Sequence, residues 1–180
     1  MDHINQKLAK EYWRKKASGA LHVDEHMKAN DTVDVLRING NDLAYFYQLT
    51  GKQIIAEFTV LMALYNMLLQ RYVETCFMLS SKMPALPGNK LLLYEFPAIT
   101  QKTIKDFLQE AKKEVQEVYK YAEYYDSEVA EPATAPRLLF RFGYGKTQEE
   151  PNIGLFFNIE KTGNNDLEIS IVYSEQFIQR

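Results

Sequence analysis

Apolar residues recur at Ile4, Leu8, Tyr12, Trp13 and Ala17, one stripe of a first helix that Gly19 ends. A polar connector without period follows (22–31), and "TVDVLRI" (32–38) alternates toward a strand. "DLAYFYQLTG" reads as a short helix with Asn41 as N-cap and Gly51 closing it from the C′ position. From Ile54 through Phe58, Leu61, Met62, Tyr65, Leu68 and Leu69 to Tyr72 the helical spacing persists. Val60 and Leu64 widen its apolar surface, so this helix should be the most enclosed of the fold.

"TCFMLS" (75–80) and "KLLLYEF" (90–96) suit buried strands, separated by Pro84, Pro87 and Gly88. Ile104, Phe107, Leu108, Ala111, Val115 and Val118 mark a long amphipathic helix within 100–122. Beyond the linker "EPATAP" (131–136) come "RLLFRFGY" (137–144), "IGLFFNIE" (153–160) and "DLEISIVY" (166–173). The turn "KTGNND" predicts a hairpin between the last two, because Gly163, Asn164 and Asn165 tolerate positive φ. "SEQFIQR" begins a further helix with Ser174 as cap. Helices interleaved with strands and a closing three-strand meander predict an α/β two-layer sandwich, a mixed sheet with helices on one face. A single domain covers 1–180, with an N-terminal helix and connector (1–31) ahead of an α/β core (32–180).

Composition narrows the function classes. A hydrophobic share of 46% over 180 residues supports a real core. The net charge of −3 gives no reason to expect nucleic acid or an anionic membrane as partner. The longest uncharged apolar run, Phe58 to Gln70, is too short to span a bilayer. Charges crowd the N-terminus, so it does not read as a signal peptide. Cys76 is alone, which rules out an internal disulfide and fits a reducing cytoplasm.

Candidate chemistry is sparse. His22 and His26 stand four apart, but Val23 occupies the place where a metalloprotease pattern needs glutamate, and no third ligand is evident. Cys76 lies in an apolar strand pattern, where cysteine behaves as a small hydrophobe. "GYGKT" (143–147) lacks the upstream glycine of a phosphate loop. Glu149 and Glu150 have nothing apolar around them to raise a pKa. No catalytic, cofactor or metal residue is therefore assigned. The stretch "YKYAEYYDSEV" (119–129) carries Tyr119, Tyr121, Tyr124 and Tyr125. Three of these share a helical spacing, more in keeping with a half-buried lid than with a ligand cage. Its acids would repel phosphate.

In order along the chain, several segments resemble the C-terminal lobe of a nonribosomal peptide synthetase condensation domain, of the chloramphenicol acetyltransferase-like folds. "EYWRKKASGAL" (11–21) resembles that family's Tyr-Trp helix, and "FTVLMALYNMLLQRY" (58–72) its long helix ending in Leu-Leu-x-Arg-Tyr. "PGNKLLLYEF" (87–96) stands where the family has Gly-x-Phe-Val-Asn-Thr. Residues 103–129 resemble its next helix and sequel, keeping Tyr124 and an acid but losing the histidine and proline. "APRLLFRFGY" (135–144) and "LFFNIEKTGNNDLEISIVYSEQF" (155–177) resemble the Asn-Pro-Leu-Phe strand and the closing hairpin.

The departures shape what the resemblance implies. The family's catalytic His-His-x-x-x-Asp-Gly belongs to its first lobe; here no two histidines adjoin and no His-x-x-x-Asp occurs. The 79–89 connection is shorter than the family's bridging region, and the family would continue beyond Arg180 with another helix. The resemblance implies a catalytically silent lobe acting as a binding or scaffold module. Its implied partners are a carrier-protein domain, a condensation first lobe or another synthetase domain, or a second copy in a homodimer. It implies no cofactor beyond phosphopantetheine borne by a carrier protein. The alternatives are an acyltransferase half completed in trans by a lobe carrying the histidine motif, and a fragment of a full synthetase. The expected interaction surface includes the strip Tyr119 to Tyr125, because a lobe without its mate leaves apolar surface uncovered.

Overall fold

The structure, a computed structural model, describes residues 2–18, 31–71, 78–82, 84, 91–96, 98–99, 102–125, 138–143 and 155–174. Four helices and six strands follow in the order α1 (Asp2–Ser18), β1 (Asp31–Ile38), α2 (Ala44–Thr50), α3 (Ile54–Leu69), β2 (Met78–Ser81), β3 (Leu92–Glu95), α4 (Ile104–Tyr121), β4 (Leu138–Gly143), β5 (Leu155–Lys161) and β6 (Leu167–Ser174). The strands form one mixed sheet in the order β1-β6-β5-β4-β2-β3. β4 pairs in parallel with both β2 and β5, while the other pairs are antiparallel.

Alternation along the central strands turns one face inward. Leu138, Phe140 and Phe142 of β4 are buried, and the register sets Phe157 and Ile159 beside Phe140 and Phe142. α3 lies on this face: Phe58 meets Phe140 edge-on, and Tyr65 stacks on Phe157 with centroids 4.5 Å apart. α3 has the apolar density to fill that position, with Phe58, Leu61, Met62, Ala63, Tyr65 and Leu69 all buried. α4 packs beside α3 and over β3, burying Phe107, Ala111, Val115 and Val118, and starts at Thr103, whose hydroxyl accepts from the Asp106 N–H.

The expected mixed α/β sandwich is therefore present, with local differences. The closing strands are not a meander: β4 and β5 run parallel, and only β5–β6 is a hairpin. The hairpin turn is as expected, with Asn165 at φ +62°. Asn41 does not cap α2. The N-cap is Leu43, with no side-chain bond, because Asn39 takes the role one turn earlier: its Oδ1 accepts from the N–H groups of Asn41 and Asp42. Gly51 does end α2 in the left-handed conformation, and Lys52 follows at φ +56°. In α1, the expected stripe is rotated: Leu8 is half exposed, whereas Ala9, Trp13 and Lys16 are buried. Gly19, Ser174 as cap and the strand start at 75–77 lie outside the described residues or their described side chains.

Candidate interaction surface

Tyr119 to Tyr125 end α4 and pass through a single 3-10 turn at Ala122–Tyr124. Tyr121 and Tyr125 face α1. The Trp13 indole N–H donates to the Tyr121 carbonyl at 3.0 Å, and its ring meets Tyr125 edge-on at 4.8 Å. Tyr12 lies against Tyr121 at 4.6 Å. These two tyrosines thus form a lid that holds the first helix down. Tyr125 is buried, Tyr124 is half-buried, and Tyr119 alone of the four projects into solvent, 55% exposed.

Next to this lid sits a charged cluster that sequence reasoning did not find. Lys16 pairs with Glu114 of α4 with little solvent access to either side chain. The Lys16 ammonium also donates to the Leu93 carbonyl at 3.3 Å, and Glu114 accepts the Glu95 N–H at 2.7 Å. Burial lowers the Lys16 pKa and raises that of Glu114, because desolvation outweighs their mutual attraction. The Tyr12 and Tyr94 hydroxyls are buried nearby without hydrogen-bond partners, and burial pushes both phenols up. A second buried pair joins Glu57 of α3 to Lys161 of β5, whose ammonium lies 5.2 Å from the Tyr47 ring centroid and 5.9 Å from that of Phe142. Neither Glu57 oxygen receives a hydrogen bond, so that pairing is Coulombic. A lone acid inside "IIAEFTV" was the readable signal for Glu57; Lys16 gave none, since a lysine near a helix C-terminus ordinarily faces water.

Among the described residues no three His, Cys, Asp or Glu side chains converge as metal ligands, and no single helix is long and apolar enough to cross a membrane. His22, His26, Cys76, Lys146, Thr147, Glu149 and Glu150 lie outside the described residues.

The surface itself carries the more informative feature. α3 is buried on its sheet side but presents Leu64, 47% exposed, and Leu68, 41% exposed, four apart on its outer side. Val60, one turn earlier, and Met67 are half-buried on the same side. In α2, Tyr45 and Leu49 repeat the spacing and are more exposed still. Paired apolar groups on adjacent helices are a form of surface that a docked partner would cover. The solvent side of α1 is different: Lys7, Lys10 and Arg14 line a shallow groove with Gln6 and Glu11.

No protein-family model and no curated protein sequence matches the chain. Solved structures do match. The cyclization-docking bidomain of the EpoB nonribosomal peptide synthetase from Sorangium cellulosum superposes with TM-score 0.71 at 10% identity, over 99% of this chain and 46% of that one. The first condensation domain of the calcium-dependent antibiotic synthetase, in complex with a substrate analogue, gives 0.71 at 11% identity, over 96% and 45%. The fold is that of a condensation-domain lobe. An X-domain solved in complex with OxyB from teicoplanin biosynthesis gives 0.66 at 14% identity, over 94% of this chain and 48% of that one. The chain thus spans about half the length of each of these three chains. Identities this low carry the architecture and leave activity and partners to be argued from the residues.

Proposed function

We propose that this condensation-like lobe is a binding or scaffold module of nonribosomal peptide synthesis that performs no acyl transfer or condensation by itself. The observation that carries the reading is the outer side of α3, where Leu64 and Leu68 face solvent on the helix that otherwise forms the core. Such a surface is suited to docking against another protein. Its partner would be a carrier-protein domain or another synthetase domain, and any phosphopantetheine would arrive on that carrier. The X-domain neighbour supports a recruiting role by analogy, since it was captured in complex with a partner protein. General base catalysis needs a titratable group within reach of the attacking amine. The chain carries no His-His-x-x-x-Asp-Gly, and the perturbed groups Lys16 and Glu114 are spent on each other and on the β3 backbone.

Incubating the chain with acyl- and aminoacyl-loaded carrier proteins, followed by mass spectrometry, tests this. No condensation product is expected. Product from the chain alone would overturn the reading. Product that appears only when a first lobe with the histidine motif is added would replace it with catalysis completed in trans.

A further inference from the structure

Burial of the sheet's inner face fades from its centre toward β1. Residues set opposite one another by the register share a face. One inner row therefore runs from Ile159 through Ile169 to Leu36, and the next from Phe140 through Phe157 and Ile171 to Asp34. In the first row exposure rises from 1% at Ile159 and 9% at Ile169 to 57% at Leu36. In the second, Phe140 is fully buried, Phe157 and Ile171 are half-buried, and Asp34 is exposed. Tyr173, one row further along β6, is half-buried. α2 covers the other end of these strands, where the Tyr47 hydroxyl donates to the Asn165 carbonyl at 2.6 Å and Leu167 is buried.

The helix layer accounts for this gradient. α4 lies over β3 and α3 over β4 and β5. Glu57, Leu61, Leu64 and Leu68 form one stripe of α3, at i, i+4, i+7 and i+11. Glu57 reaches Lys161 of β5, so the stripe faces β5 and β6, on the side away from α4. Leu64 and Leu68 are thus the wall of a slot whose floor is Leu36, Ile171 and Tyr173. β6 and β1 together are about 10 Å wide, the width of one helix. The four residues from the Leu36 row to the Tyr173 row cover about 13 Å, a length that about nine helical residues span.

We infer that this slot receives one amphipathic helix of a partner protein, apolar at i, i+3, i+4 and i+7 and basic on the flank that lies over β1. The inference rests on the docking role proposed for α3 and adds to it the sheet floor and the form of the partner. An extended peptide would pair with the β1 edge, whereas covering a wall and a floor together takes a helix, whose apolar arc meets both. Charge sets the flank. Lys161 is held by Glu57, so among the described residues of the slot Asp34 is the charge without an ion pair. A partner cation beside Asp34 is attracted, and a carboxylate there is repelled.

Two fluorescein-labelled peptides of about 18 residues, long enough to hold a helix, test the inference. Both carry leucine at the four apolar positions, and they differ only in lysine or glutamate on the flanks. Fluorescence anisotropy should show the lysine peptide binding the wild type saturably. Leu36→Asp, at an exposed site and with circular dichroism unchanged, should weaken that binding at least about 10-fold. Asp34→Lys should lower the preference for the lysine peptide over the glutamate peptide by at least about 5-fold. A preference that Asp34→Lys leaves unchanged, or a wild type that binds neither peptide, would overturn the inference. Binding lost in the Leu64→Asp, Leu68→Asp double variant but intact in Leu36→Asp would overturn the slot and leave docking on α3 standing. Peptide binding with both effects present, but no binding of any synthetase domain, would support the slot and count against the docking role. A dimer in sedimentation equilibrium that Leu36→Asp dissolves would assign the slot to a second copy and overturn the inference.

Discussion

Lys16 and Glu114 meet over the outer edge of β3 and between them satisfy two backbone groups that face away from the sheet, the Leu93 carbonyl and the Glu95 N–H. An open strand edge is a template for unwanted pairing, and side chains that occupy its donors and acceptors remove it. The pair therefore acts as an edge seal that fastens α1 and α4 to the sheet at one point. The opposite edge, β1, is exposed along Asp34 to Arg37 and has its ladder on the β6 side alone.

Breaking the seal one side at a time should be costly. Lys16→Met or Glu114→Leu alone leaves a buried charge and an unpaired β3 group, and each should lose about 3–5 kcal/mol. The double variant should lose clearly less than the sum, since no uncompensated charge remains. Urea unfolding of the four proteins measures the coupling, and additive losses would show that the two side chains act independently.

The pH dependence has a defined direction. Glu114 binds its proton more tightly in the folded state, so its contribution to stability is greatest below the ordinary 4.5 and declines as pH rises through the raised value. Lys16, held below the ordinary 10.5, contributes in the opposite sense, adding stability as pH rises toward that value. Relative to Glu114→Gln, the wild type should lose thermal midpoint as pH rises from 4.5 toward neutrality. A difference between the two that stays flat with pH would contradict this.

Trp13 and the tyrosines at the two ends of the strip should separate by role. Tyr125→Ala removes a buried ring from Trp13 and should cost about 2–4 kcal/mol. Trp13→Phe loses the bond to the Tyr121 carbonyl and should cost about 1 kcal/mol. Tyr119→Ala, on the exposed side, should stay within about 0.5 kcal/mol of wild type. Chemical denaturation of the three variants gives the order, and a large loss for Tyr119→Ala would contradict its placement.

The α2–α3 corner contains consecutive left-handed residues, Gly51 and Lys52. A Cβ on Gly51 would meet nothing within 4 Å, so Gly51→Ala should cost about 1 kcal/mol through the backbone alone. Lys52→Gly should relieve a similar strain and raise stability by about 0.5–1 kcal/mol. Thermal unfolding distinguishes them by sign.

Much of this fold was legible because local pattern and tertiary demand agree. The period-3.6 run of α3 and the amphipathic α4 bury most of what their spacing marks, though Leu64 and Leu68 of α3 and Ile104 of α4, read as part of those apolar surfaces, are exposed. The β5–β6 turn forms where it was expected. The direction of β5 was not legible, since alternation marks a strand without fixing whether its neighbour runs parallel. α1 was misread by about one residue of rotation. Leu8 looked like core, yet Lys16 is buried in its stead because the β3 edge needs a donor there, a demand that arises only once the sheet exists. The tyrosine strip was half legible: its spacing indicated a lid, but nothing local said that the lid covers α1.

The central claim, that this lobe works by docking through the outer side of α3, is tested most directly by calorimetric titration against phosphopantetheinylated carrier-protein domains and the other synthetase domains from the same genome. The wild type should bind one of them saturably. The Leu64→Asp, Leu68→Asp double variant, with circular dichroism unchanged, should bind at least about 10-fold more weakly, a difference of about 1.4 kcal/mol. Equal affinity for the two proteins, or no binding by the wild type to any carrier-protein or other synthetase domain, would contradict the account.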